Sequence, residues 1–167
     1  MEQQPDPEAG DRRPEERSDE DGGSRHPGPS ASGASADQLS PGFAPGLTAR
    51  VELTVTDSDT AQSLGSGDVP VLGTPRVLAL VEAASVVATA TRMPAGMTTV
   101  GTRVELDHKA PTPVGRTVVA QAQLAKVDGR RLLFEVVVTD GPTTVAEGRI
   151  ERVLVDRHKF VERAFGD

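Results

Sequence analysis

TPRVLALVEAASVVATATR, residues 74–92, is the stretch on which the fold turns. Thr74 is a good helix N-cap, and Pro75 suits the first helical position, where the backbone N–H has no intrahelical partner anyway. Ala, Leu and Val then follow almost all the way round the helical wheel, which predicts a largely buried helix. Pro94 and Gly96 stop it. The single charge inside its apolar body is Glu82.

Working outward, Val51, Leu53 and Val55 alternate with polar residues before the helix and predict a half-buried strand. A polar, glycine-bearing connection, residues 57–68, lies between the two. After the helix come four strand-like segments: 98–109, ended by Pro111 and Pro113; 116–127; 130–139; and 143–155. Asp128-Gly129 and Asp140-Gly141-Pro142 mark turns between them, and a short helix over 156–164 closes the chain. One strand, one long helix and a meander of four strands make an α+β architecture, with the helix covering one face of an antiparallel sheet.

The strand parities support that layer. Val118, Ala120, Ala122 and Leu124 share a face, as do Leu132, Phe134, Val136 and Val138, and Ala146, Ile150 and Leu154. Leu133, Val137, Val153 and Val155 leave part of the opposite face apolar, so self-association is expected. No internal repeat is present.

Composition divides the 167-residue chain. Residues 1–45 hold seven Pro, six Gly and ten carboxylates against four arginines, a net charge of −6. Their only large apolar residues are Met1, Leu39 and Phe43, too few to offset chain entropy, so a disordered acidic tail is expected there, with the folded domain over 46–167. The domain has fifteen acids and fourteen bases, hence no basic stripe for nucleic acid, and four Phe in the whole chain give no stacking platform. With no Cys and three scattered His, no metal-ligand spacing is recognisable and disulfides are excluded. No secretory signal or membrane span is expected, which points to the cytoplasm.

Four residues invite chemistry. Glu82 is a carboxylate in an apolar helix, which is costly to bury without a partner; a rim position or an Arg partner would equally explain it. His108 continues the parity Val100, Thr102, Val104, Leu106 and so points toward the helix layer, as an acid–base group or as a hydrogen-bonded core residue. Arg152 shares the parity of Ile150 and Leu154, with Glu82 or a C-terminal acid as its expected ion-pair partner. Thr74 is fully explained as a cap.

The stretches Gly73-Thr-Pro-Arg-Val-Leu-Ala-Leu-Val-Glu-Ala-Ala84, Val100-Gly-Thr-Arg-Val-Glu-Leu-Asp-His-Lys-Ala-Pro-Thr-Pro-Val-Gly115, Val127-Asp-Gly-Arg-Arg-Leu132, Gly148-Arg-Ile-Glu-Arg152 and His158-Lys-Phe160 appear in a telling order. Together they resemble the fluoroacetyl-CoA thioesterase-like branch of the hotdog-fold thioesterases, over about residues 47–163. The resemblance implies a hotdog fold, an acyl-CoA substrate with a short acyl group, and a homo-oligomer, dimer or dimer of dimers, with the site at a subunit interface. It also implies a catalytic set of Thr74, Glu82 and His108, with Gly101 giving a backbone N–H to the thioester oxygen and Arg152 near the site. In the branch's namesake a Phe-lined lid precedes the catalytic Thr; here Leu64-Gly-Ser-Gly-Asp-Val-Pro70 has no aromatic residue, so fluoroacyl selectivity is not implied.

These residue types suit thioester hydrolysis. The thiolate leaves readily, so the needs are an activated oxygen nucleophile, from Thr74 or water, and donors for the developing oxyanion. His108 can shuttle a proton near neutral pH, with Glu82 orienting it or acting as base. No metal or resident cofactor is expected, since coenzyme A belongs to the substrate. Two rivals stand beside this reading. A hotdog hydratase would carry an Asp–His motif that the chain lacks; a non-catalytic acyl-CoA or small-ligand binding protein would keep the pocket without turnover.

Overall fold

A computed structural model describes residues 42–166. The expected acidic tail falls on 1–45 and lies, but for its last four residues, outside them. Of those four, Phe43 is only 7% exposed and belongs to the core, so the folded part begins earlier than the composition break at 45 suggests.

The elements are β1 (Thr48–Thr54), a 3-10 turn (Asp57–Asp59), α1 (Ala61–Leu64), α2 (Thr74–Ala90), β2 (Met97–His108), β3 (Thr117–Asp128), β4 (Arg131–Asp140), β5 (Thr143–Asp156) and α3 (Arg157–Phe165). The expected strands and long helix are all present, with ends shifted by a few residues at most. The polar connection, by contrast, is structured. Asp59 Oδ2 accepts from the backbone N and the hydroxyl of Thr56 at 2.8 and 2.7 Å, while Thr60 Oγ1 caps α1 by accepting from Ser63 N.

One antiparallel sheet runs in the order β1-β3-β4-β5-β2, and α2 packs chiefly on β1 and β3. Only β3-β4-β5 form a meander. The expected four-strand meander is therefore corrected: β2 crosses to the far edge and pairs with β5, from Met97↔Asp156 to His108↔Ala146. Hairpin turns join the meander strands, whereas residues 109–116 carry two prolines and a long connection that releases β2 from β3. Val77, Leu80, Val81, Ala84 and Ala88 of α2 bury against Val118, Leu124, Leu132, Phe134, Val138 and Ile150 of the sheet. Truncating one such fully buried Phe or Leu typically costs about 2–5 kcal/mol.

Burial of α2 on all sides is also corrected. Its buried residues recur at three- and four-residue spacing, and the opposite stripe is open: Val86 and Val87 are 44% and 50% exposed, with Ala79 and Ala83 beside them. Thr74 and Glu82 fall on this open side. Nothing local in an apolar helix distinguishes a face covered by the sheet from one left bare.

Candidate active site

Gly73, not Thr74, occupies the N-cap of α2, and no side chain caps the helix. Gly73 N instead donates to Asp59 O at 2.9 Å, and a Cβ at 73 would sit 3.0 Å from Ala61 Cα, so the approach of α1 to the helix start requires glycine. The expected Thr74 cap is thereby corrected. As first helical residue, Thr74 turns its hydroxyl outward, and Oγ1 lies 2.9 Å from His108 Nδ1. For the hydroxyl to donate, Nδ1 must be the bare ring nitrogen and the proton must sit on Nε2. Nε2 is buried and has no hydrogen-bond partner among the described residues. An unmet buried donor costs about 1–3 kcal/mol, and the chain's own atoms cover this one, so the tautomer with the proton on Nε2 carries that cost in the single chain.

The start of α2 and the end of β2 are tied by backbone. Ala61 N donates to Val71 O and Leu72 N to Thr112 O, both at 2.8 Å, four residues beyond His108. Arg76, one turn into α2, donates through Nε to Asp59 Oδ1 at 2.7 Å. Burial alone would raise the Asp59 carboxyl, but the Thr56 and Arg76 donors outweigh it and hold Asp59 below the ordinary carboxylate range.

The second group of residues forms around a bulge. Between Gly101 and Arg103 the β2–β5 register slips by one, so that Thr99 and Gly101 face the same side as Val104, Leu106 and His108. The even parity read from Val100 and Thr102 is thus corrected for the first half of β2. Gly101 pairs with Arg152, and a Cβ on it would collide with Glu82 Oε1. With glycine here the helix carboxylate lies directly against the strand, and a larger residue would make the Glu82 side chain move. Arg152 is 6% exposed; its Nη1 donates to Glu82 Oε1 at 3.2 Å, its Nε to Thr99 Oγ1 at 3.0 Å and its Nη2 to Thr99 O at 2.9 Å. Burial lowers the guanidinium from its ordinary value, and the Glu82 carboxylate partly restores it. The expected Arg152–Glu82 pair is present. Thr99, which fixes the guanidinium plane with two contacts, was not among the candidates, because the bulge that turns it inward leaves no trace in the parity.

Within one chain the five residues therefore fall into two groups: Thr74 with His108, and Glu82 with Gly101 and Arg152. Eight helical residues, about 12 Å, separate Thr74 from Glu82, and seven strand positions, roughly 20 Å, separate His108 from Gly101. Among the described residues no cluster of His, Asp and Glu could hold a metal ion, and no helix is long and apolar enough to cross a membrane.

A five-stranded antiparallel sheet wrapped on one helix, with a threonine–histidine pair at the helix start, defines a hotdog-fold protein of the thioesterase kind. Residues 55–158 match the family described as fluoroacetyl-CoA-specific thioesterase, and the chain belongs to that family. It is 37% identical over 90 residues to the fluoroacetyl-CoA thioesterase of Streptantibioticus cattleyicolor, an alignment covering 54% of this chain and 65% of that one, just under two thirds of the relative's length. Among solved structures, a fluoroacetyl-CoA-specific thioesterase variant in complex with fluoroacetate and CoA aligns at 30% identity and a TM-score of 0.67, over 71% of this chain and 99% of that chain. A hot-dog-like protein from Thermanaerovibrio acidaminovorans aligns at 26% and 0.69, over 78% and 95%.

Proposed function

We propose that the protein hydrolyses short acyl-CoA thioesters to the free acid and CoA, at sites shared between two copies of the chain. The contact of Thr74 Oγ1 with His108 Nδ1 at 2.9 Å carries this reading, because it is a hydroxyl nucleophile already bonded to its base. Thr74 Oγ1 attacks the thioester carbonyl carbon as His108 Nδ1 takes its proton. The carbonyl oxygen becomes an oxyanion that Gly101 stabilises through its backbone N–H. Collapse breaks the C–S bond, His108 returns the proton to the CoA thiolate, and an acyl-Thr74 ester remains. Water, deprotonated by the same imidazole, then releases the acid and restores Thr74.

Assembly supplies what one chain lacks. Among the described residues the β2 edge away from β5 has no neighbouring strand, and Glu82, on the open side of α2, lies against β2 at Gly101. Antiparallel pairing of two β2 edges about the midpoint between Val104 and Glu105 sets Gly101 of one copy opposite His108 of the other. The two groups of residues then meet at each of two equivalent sites, which brings the Glu82 carboxylate of one copy toward the Thr74–His108 pair of the other. The isologous two-fold closes on itself and covers the apolar helix face.

The relative solved with fluoroacetate and CoA supports an acyl-CoA ligand. Position 64–70 lacks the aromatic lid, so non-fluorinated short acyl groups are the expected substrates. Thiol release from a panel of short acyl-CoAs tests the reading. Multiple turnovers are expected from the wild type and none from Thr74→Ala; saturable binding without release would instead support a binding protein.

A further inference from the structure

Arg152 lies inside the fold at 6% exposure, and most of what holds it there comes from one residue. Its guanidinium is a planar fork of N–H donors. Nε donates to Thr99 Oγ1 at 3.0 Å and Nη2 to Thr99 O at 2.9 Å, so one edge of the fork is taken up by Thr99 alone. Two bonds to one residue fix the plane, since a turn about the Cδ–Nε bond breaks the Nη2 contact. Nη1 is thereby aimed at Glu82 Oε1, across a longer contact of 3.2 Å.

Burial falls off along this chain of contacts. Thr99 is 7% exposed, whereas the Glu82 side chain is 38% exposed and open to the site. Oε1 is the oxygen that lies against Gly101, and among the described residues Oε2 has no hydrogen bond. Arg152 thus tethers one carboxylate oxygen beside the strand backbone and leaves the other free for chemistry. A glutamate on a helix has several side-chain torsions, and holding it to one rotamer costs up to about 2 kcal/mol. A misplacement of about 1 Å at a reacting group can cost about 100-fold in rate, so what holds the carboxylate matters to turnover. The bulge between Gly101 and Arg103 is what turns Thr99 to this side of β2, in the same row as Gly101. One irregularity of the strand therefore presents both the Gly101 backbone and the anchor of the carboxylate.

We infer that Thr99 is a positioning residue for the hydrolysis: it clamps Arg152, and Arg152 in turn holds the Glu82 carboxylate where the reaction uses it. This rests on the thioesterase reading for the step that Glu82 serves. Thr99 itself need touch no reacting atom. Loss of its hydroxyl leaves Arg152 Nε a buried donor without an acceptor, at a cost of about 1–3 kcal/mol, which drives the guanidinium to turn and releases Glu82.

Two substitutions separate this role from packing. Thr99→Val keeps the branched shape and the backbone carbonyl but removes Oγ1, whereas Thr99→Ser keeps the hydroxyl. With acetyl-, propionyl- and butyryl-CoA, Thr99→Val should lower kcat tenfold or more at near-constant KM, and Thr99→Ser should recover most of that loss. In a Glu82→Gln background Thr99→Val should add little further loss, because the carboxylate it positions is gone. A Thr99→Val protein with wild-type kcat, or one whose loss is the same factor in both backgrounds, overturns the inference, even if its melting temperature falls. A second readout needs no turnover: the carbon-13 resonance of the Glu82 carboxyl should shift in Thr99→Val and return in Thr99→Ser. If the wild type releases no thiol from any of the three thioesters, the thioesterase reading fails by itself. The resonance then decides the positioning separately: a shift in Thr99→Val keeps Thr99 as the residue that places Glu82, and an unchanged one overturns it.

Discussion

A methyl group at position 101 would occupy the space held by Glu82 Oε1. Gly101→Ala is therefore expected to push Glu82 off Arg152 and to close the approach to the strand backbone. Turnover should fall about 100-fold or more, the usual cost of losing an oxyanion donor, and steady-state kinetics on the folded variant reads it. Thr74 and His108 form a separate pair, and their removal should be strongly non-additive. Thr74→Ser keeps a hydroxyl within reach of Nδ1 and should retain activity, whereas Thr74→Ala should lose it without unfolding, because Gly73 and not Thr74 is the N-cap. A folded Thr74→Ala that still turns over would pass the attack to water activated by Glu82 and His108. Glu82→Gln separates charge from shape: it should cut turnover while the Arg152 guanidinium keeps its two contacts to Thr99.

At the scale of elements, the turn at 57–59 and the start of α2 are held together by one carboxylate. Asp59 receives Thr56 and Arg76, and its depressed pKa means that the folded state binds a proton there less readily than the unfolded chain. The stability it contributes is present above the unfolded value of about 3.9 and disappears as pH falls through the lower folded value. Asp59→Asn should destabilise the domain at neutral pH by roughly 1–3 kcal/mol, and the loss should shrink on acidification below pH 4. Thermal melts of both proteins between pH 3 and 7 give the comparison; a difference constant over that range would rule the carboxylate out as the hold on α2.

For the whole molecule, the two groups of site residues predict complementation. Thr74→Ala homodimers should be inactive and Glu82→Gln homodimers weakly active, and exchange of their subunits should restore up to about a quarter of wild-type turnover, because half the dimers are then mixed and each has one intact site. No recovery on exchange, or full activity of a monomer seen by light scattering, contradicts a site shared between copies. Truncation addresses the other boundary. Removal of residues 1–41 is expected to leave the melting temperature unchanged, as their composition implies, while removal of 1–45 takes Phe43 from the core and should cost roughly 2–4 kcal/mol, several degrees in Tm.

Periodicity and punctuation in the chain determined the kind and order of elements: the alternation at Val51, Leu53 and Val55, the apolar run of 74–92 with its Pro75 start, and the Asp128-Gly129 turn all have local causes. The inward parities of β3 and β4 and the pairing of Arg152 with Glu82 were legible for the same reason, since side-chain faces repeat with the backbone. What the tertiary structure alone decided is non-local. Which strand β2 pairs with depends on hydrogen bonds to β5, whose partner residues are 38 to 59 positions away, and a one-residue bulge at 101–103 reverses every face before it, bringing Thr99 and Gly101 inward. Thr74 is not the cap, because Gly73 takes that position, and the contact of its hydroxyl with His108 Nδ1 depends on where β2 ends across the fold.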